Sequence, residues 1–178
     1  MTMRPPFKLA LTGKMRSGKD TVADYLVSEY GYKKYGFGDG IREVEALLFP
    51  DTHKKERTRL QQIGQSLRQV EENVWVDHTL RQIKKEGHDR IVIKDLRQPN
   101  EYARLQEAGF SIVRVLCTED IRLNRMRAAG DVFHPDDIRH ETEQYVDHFV
   151  VDWELENNSI PLLLRQQIDR MLFTLSQT

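Results

Sequence analysis

The chain has 178 residues, of which 31% are charged and 39% hydrophobic, with a formal net charge of −1. That length supports one domain with a substantial core, and the near-neutral balance argues against nucleic-acid binding by bulk charge. The single cysteine, Cys117, excludes an internal disulfide framework and a cysteine zinc cluster, and its apolar surroundings suit a core thiol. No apolar stretch approaches membrane-spanning length and the N-terminus does not read as a secretory signal, so a cytoplasmic location is expected.

The first apolar run, Phe7 to Leu11, reads as a strand although Lys8 interrupts it. Thr21 to Tyr30 reads as a helix with Val22, Tyr25 and Leu26 on one face. Between them stands Gly13-Lys14-Met15-Arg16-Ser17-Gly18-Lys19-Asp20-Thr21. Strand, glycine loop and helix form the context of a phosphate-binding loop. Gly13 and Gly18 remove side chains where backbone amides crowd a polyphosphate. Those amides make an anion site at the helix start, and Lys19 reaches the terminal phosphates as a point charge. The residue after the lysine is usually Ser or Thr, whose hydroxyl serves magnesium. Here it is Asp20, a carboxylate that also suits magnesium. A plainer role for Asp20 is to complement the positive helix end, worth roughly 0.3–1 kcal/mol.

Gly31 ends the first helix. Tyr32 to Phe37 reads as a second strand, and Asp39 stands where it caps a helix carrying Ile41, Val44, Leu47 and Leu48, with Pro50 beyond. Residues 51–55 read as a polar connection. Residues 56–71 follow as a helix on which Arg57, Leu60, Gln61, Gly64 and Arg68 share a face. Gly64 costs about 1 kcal/mol there against alanine, which points to a close approach. Val76 to Lys85 is a further helix, ended by Gly87. Arg90 to Lys94 reads as a buried parallel strand. Asp95-Leu96-Arg97 follows at its C-terminal end, the edge where open α/β sheets bind ligands.

The chain continues as a helix over Glu101 to Ala108, a strand over Ser111 to Cys117 and an arginine-bearing helix over Glu119 to Ala129. A loop or lid opens at Gly130. Asp136 and Asp137 open a short helix, His148 to Val151 reads as the last strand, Asp152 to Ser159 as a loop, and Ile160 to Leu175 as a closing helix. Alternating strands and helices give an α/β class with a parallel sheet.

Several of these stretches resemble the deoxynucleoside monophosphate kinases of bacteriophages, with dephospho-coenzyme A kinases and animal phosphomevalonate kinases as more distant relatives. The resemblance rests on Arg16-Ser-Gly-Lys-Asp-Thr21, on Phe37-Gly-Asp39-Gly-Ile41-Arg42, and on Arg57-x-x-Leu60-Gln61-x-x-Gly64-x-x-x-Arg68 with Trp75. It rests further on Asp95-Leu-Arg97-Gln-Pro99-Asn100-Glu101, His140-x-x-Glu143 and Glu156-Asn157-Asn158-Ser159. This chain departs from the family pattern at Gly38, Arg42, Met15, Thr142 and Ser159.

The resemblance implies a three-layer P-loop kinase fold: a five-stranded parallel sheet in order 2-3-1-4-5, helices on both faces and a lid. One domain over 1–178 is expected, with acceptor-binding helices at about 39–87 and a lid at about 127–140. The implied reaction is phosphoryl transfer from ATP, with Mg2+, to a nucleoside 5′-monophosphate. Gly13, Lys14, Ser17, Gly18, Lys19, Asp20, Thr21, Asn157 and Asn158 would hold ATP. Asp20, Thr21 and Asp95 would organise magnesium. Lys19, Arg16, Arg122, Arg125 and Arg127 would stabilise the transferred group, although 127 is off the face shared by 122 and 125. Asp39, Arg42, Arg57, Arg68 and Arg97 would face the acceptor, with Arg97 alternatively pairing with Asp95 and Glu101. His140 would position the lid. No nucleic-acid or membrane partner is expected, and a homodimer is one possible assembly. The competing readings are a kinase of this fold with another acceptor, such as dephospho-coenzyme A or phosphomevalonate, and a nucleotide-binding ATPase or regulator with none.

Overall fold

The computed structural model describes residues 8–50, 57–130 and 145–177. Five strands run through the described residues: β1 (Lys8–Thr12), β2 (Lys33–Tyr35), β3 (Ile91–Leu96), β4 (Ser111–Leu116) and β5 (Trp153–Glu156). They form one parallel sheet in the order β2-β3-β1-β4-β5. Among the described residues seven helices accompany them: α1 (Lys19–Tyr30), α2 (Phe37–Leu48), α3 (Arg57–Val70), α4 (Val74–Glu86), α5 (Pro99–Glu107), α6 (Glu119–Ala128) and α7 (Pro161–Leu175). The expected lid beyond residue 130, with Asp136, Asp137, His140 and Glu143, lies outside the described residues, as do the 51–55 connection and the side chain of Arg57.

The chain divides into two compact units, one of residues 1–34 and 89–178 and one of residues 35–88. In the first, β1 is central because it is apolar on both faces. Leu9 and Leu11 join Val22, Ala23 and Leu26 of α1 and Leu164, Ile168, Met171 and Leu172 of α7 in one cluster. Residues of the opposite parity, Ala10, Ile91, Ile93 and Ile112, are equally buried, as are Leu105 of α5 and Met126 of α6. Alternate side chains of a strand point to opposite faces, so helices cover both sides of the sheet. Tyr25 and Tyr30 of α1 both donate to Asp169 of α7, at 3.0 and 2.7 Å, and tie the two helices together.

The last strand lies later than the sequence suggests. Residues 148–151 are not a strand, and the expected loop at 152–159 contains β5. The reason is local. Phe149 stacks on Tyr102, with ring centroids 4.7 Å apart, and its carbonyl accepts from Arg114. Asp152 then docks on the start of β4, its carboxylate accepting from Ile112 N–H at 2.7 Å and its own N–H donating to Ile112 O at 2.8 Å. The ladder begins one residue later, with Trp153 opposite Val113.

In the second unit, α2, α3 and α4 pack on one another, and here the cause of Gly64 is visible. A Cβ at Gly64 would stand 3.0 Å from Ile41 Cδ1, and the Gly64 carbonyl accepts from the Trp75 indole at 3.1 Å. The close approach at this glycine is made by its own helical neighbours. Asp39 stands at the third position of α2, not at its cap. Its carboxylate reaches back to the Gly36 N–H at 2.8 Å and pairs with Arg42.

Candidate functional site

Residues 13–18 leave the C-terminal end of β1 and enter α1 through three left-handed turns. Gly13 has φ 137°, Gly18 φ 106° and Arg16, which is not glycine, φ 60°. A side chain at Gly13 would place its Cβ 2.4 Å from the Val115 carbonyl, so only glycine lets the loop pass β4. Gly18 is equally constrained, with the Asn157 amide nitrogen 2.0 Å from where a Cβ would sit. For Arg16 the left-handed backbone costs roughly 1–2 kcal/mol, and such strain persists where surrounding contacts enforce it.

Those contacts come from the far end of the sequence. Asn157, just past β5 and 6% exposed, donates to Ser17 O at 2.8 Å. Arg125 of α6 donates to Arg16 O at 3.3 Å, to Ser17 O at 3.4 Å and to Asn157 O at 3.1 Å, with the Cys117 sulfur 3.4 Å away. Arg122, 4% exposed, donates to Met15 O at 3.2 Å, and its Nε makes no hydrogen bond. Two arginines and an asparagine thus grip loop carbonyls and turn a flexible segment into a fixed one. Asn157 faces the loop's own backbone, while Asn158 caps the start of α6, accepting from Thr118 N–H at 2.8 Å.

Lys19 lies within this loop. It is 8% exposed, and its ammonium donates to the carbonyls of Gly13 at 2.5 Å and Lys14 at 2.9 Å. A buried cation is costly unless it is paired. Here backbone dipoles hold it where an anion seated on the loop would meet it. The Ser17 hydroxyl is fully buried and makes no hydrogen bond, so a polar group is held in reserve beneath the loop. Lys14 does not turn to the loop: it pairs with Asp147 at 2.7 Å. Arg127 is exposed and contacts Asn124 at 3.2 Å, apart from the loop contacts of Arg122 and Arg125.

Asp20 and Thr21 are exposed on the first turn of α1. Asp20 has an ion-pair partner that the sequence reading did not single out, Lys94 of β3, at 3.9 Å. A lysine inside an apolar strand was the available signal. Asp95 is the penultimate residue of β3, one place inside the strand rather than beyond it. Beyond the strand, Glu101 is 4% exposed and its carboxylate accepts from the backbone N–H groups of both Arg97 and Gln98 at 3.0 Å. This carboxylate shapes the strand-to-helix turn that carries Arg97. Among the described residues there is no cluster of three or more His, Cys, Asp or Glu side chains suited to a metal. The oxygen donors at Asp20, Thr21 and Asp95 suit a hard ion that keeps most of its water.

In the second unit polar and charged side chains engage one another. Asp39 pairs with Arg42, Glu45 with Arg59 at 3.8 Å, and Glu43 with His78 at 3.3 Å. Arg59 also lies 4.8 Å from the Phe49 ring centroid. Arg68 is half-buried on α3.

Comparison with known proteins fits this geometry. A family profile described as AAA domain matches residues 9–147. An uncharacterized protein, ORF77, of Ictalurid herpesvirus 1 (strain Auburn) is 30% identical over 135 residues, 70% of this chain and 59% of that protein. The chain therefore spans about three fifths of the length of that curated relative. Among solved structures, shikimate kinase from Acinetobacter baumannii in complex with shikimate aligns at a TM-score of 0.61 and 14% identity, covering 98% of this chain and 95% of that one. Dephospho-CoA kinase from Campylobacter jejuni aligns at a TM-score of 0.55 and 14% identity, covering 97% and 98%. At such identities the likeness establishes the fold. No helix among the described residues is long and apolar enough to cross a membrane.

Proposed function

The chain belongs to the AAA domain family, and on that footing we propose that it transfers a phosphoryl group from ATP to a nucleoside 5′-monophosphate, releasing ADP and the diphosphate. The observation that carries the reading is Lys19, buried in a loop whose carbonyls are gripped by Arg122, Arg125 and Asn157. Phosphoryl transfer needs positioned charge more than covalent catalysis. A preorganised loop supplies it without rearrangement at the moment of reaction.

In this reading ATP seats its phosphates on the amides of residues 13–19. Lys19 exchanges its carbonyl partners for phosphate oxygens, and the Ser17 hydroxyl lies beneath. Arg16, Arg122 and Arg125 offset the charge that spreads over the transferred group. Asp20, Thr21 and Asp95 are the oxygen donors that would hold Mg2+, which supplies charge neutralisation on the phosphates when bound. The solved kinases of this fold named above support the kinase class. The resemblance at Phe37–Arg42, Arg57–Arg68 and Asp95–Glu101 supports the nucleotide acceptor and gives it to Asp39, Arg42, Arg57, Arg68 and Arg97, since guanidinium groups recognise phosphate bidentately.

The test is a coupled ADP-release screen over nucleoside monophosphates, dephospho-coenzyme A, phosphomevalonate and shikimate. Release stimulated by one or more nucleoside monophosphates is the expected result. Stimulation by another acceptor alone keeps the kinase and replaces the substrate. Release that no acceptor alters would point to an ATPase.

A further inference from the structure

Lys94 lies where an apolar residue would be expected. Its strand neighbours Ile91, Val92, Ile93 and Leu96 are buried, yet its own side chain is 25% exposed and ends 3.9 Å from Asp20 Oδ1. Asp20 is 77% exposed by the same measure. At that distance there is no hydrogen bond, and an ion pair so wet contributes little to stability. The pair therefore has a poor claim to a structural role. Its position is telling, because Asp20 directly follows Lys19, at the place where phosphate loops carry their metal-binding side chain.

We propose that Lys94 is a positioning residue that acts as an internal cation opposite Asp20 and sets the affinity of the nucleotide site for divalent metal. The inference rests on the nucleotide reading above. With no metal present, Lys94 offsets the negative charge that Asp20 would otherwise set against an incoming polyphosphate. A divalent ion held at Asp20 would share that carboxylate with the Lys94 ammonium, and the two positive charges would oppose each other. A unit charge set against a doubly charged ion a few ångströms away, in a water-like dielectric, changes affinity on the order of tenfold. The site thus accepts the nucleotide readily and holds its metal loosely enough to release it with the product.

The test uses the whole chain with ATP and Mn2+, reading bound metal by electron paramagnetic resonance and metal-free ATP binding by calorimetry in chelator. Lys94→Met is expected to tighten Mn2+ in the ATP complex about tenfold, while metal-free ATP binding weakens by no more than a few-fold. Lys94→Arg, which keeps the charge, is expected to behave as the wild type and guards against a folding defect. Weaker Mn2+ binding together with weaker ATP binding in Lys94→Met would make Lys94 a phosphate ligand and overturn the inference. Unchanged Mn2+ binding would reduce the pair to packing and overturn it too. A wild-type chain that binds no ATP at all would remove the nucleotide reading itself.

Discussion

In the phosphate loop the contacts that fix the backbone arrive from residues distant in sequence: Arg125 reaches Arg16 across 109 positions and Asn157 reaches Ser17 across 140. In residues 35–88 two of the ion pairs are short in sequence: Asp39 pairs with Arg42 three residues on, and Glu45 pairs with Arg59 on the next helix. The loop is a backbone device, made rigid by everything around it. Asp39 and Arg42 are exposed and their pair is cheap to break, since exposed ion pairs contribute roughly 0–1 kcal/mol, whereas Glu45 and Arg59 are largely buried. On the reading proposed above, a fixed loop would serve the donor and the exposed Asp39–Arg42 pair would be free to open for an acceptor.

The largest effect expected from this contrast is at Lys19. Lys19→Ala should lower transfer by on the order of a hundred- to a thousandfold while the protein remains folded at room temperature. Steady-state kinetics with circular dichroism checks both halves, and transfer at the wild-type rate would remove the donor site from the loop. Next comes Arg68→Lys, which keeps charge but loses the planar fork. Loss of one charge-assisted hydrogen bond costs about 1.5–3 kcal/mol, or roughly ten- to a hundredfold in acceptor efficiency, with KM for ATP unchanged. Arg97→Lys should act alike. If KM for ATP rises instead, these arginines serve the donor and not the acceptor.

A smaller effect is expected from the strain at Arg16. Arg16→Gly relieves the left-handed backbone and should raise stability by about 1 kcal/mol even as transfer slows. A drop in melting temperature would show that the arginine side chain, and not the backbone, holds the loop. The smallest effect concerns alkaline pH. Burial, with the hydrogen bond to Asp169 second, raises Tyr30 above its ordinary value of 10.0, and burial with the Glu86 hydrogen bond does the same for Tyr35 in the other unit. The folded state then holds these protons more tightly than the unfolded one, so stability is complete below pH 10.0 and declines as pH climbs above it. Tyr30→Phe and Tyr35→Phe should each flatten that decline in urea titrations, which locates the loss in one unit or the other.

Much of this was legible beforehand because it follows from local rules. Gly-x-x-x-x-Gly-Lys between an apolar run and a helix sufficed for the loop. The near-continuous apolar run at Ile91–Ile93 marked a buried parallel strand, and the apolar residues of Ser111–Cys117 marked the next strand. What escaped notice depended on tertiary partners. β5 was misplaced because its apolar run is shared between stacking on Tyr102 and docking through Asp152, which no periodicity reveals. Gly64 pointed to a close approach, but that the neighbour is Ile41 could not be read from the sequence. Asn157 was expected to meet the nucleotide, and the structure shows its amide on the backbone of Ser17. Lys94 carried a signal, a charge in an apolar strand, but its partner could be found only from the register of β3 beside β1.

That register also sets an order of events during synthesis. β1 precedes both of its sheet neighbours in the chain and stands at the middle of the sheet, with Leu9 opposite Val92 on one side and Ser111 on the other. At about 5–20 residues per second it waits for roughly 5–20 seconds before both neighbours exist. Closing so long a loop is entropically slow. The segment that follows β1 waits longer still, because Asn157 must emerge before Ser17 O has its donor. The phosphate loop is thus made well before it can be finished, and a nascent chain cut short before residue 157 carries the whole motif without the Asn157 contact that helps to set its shape.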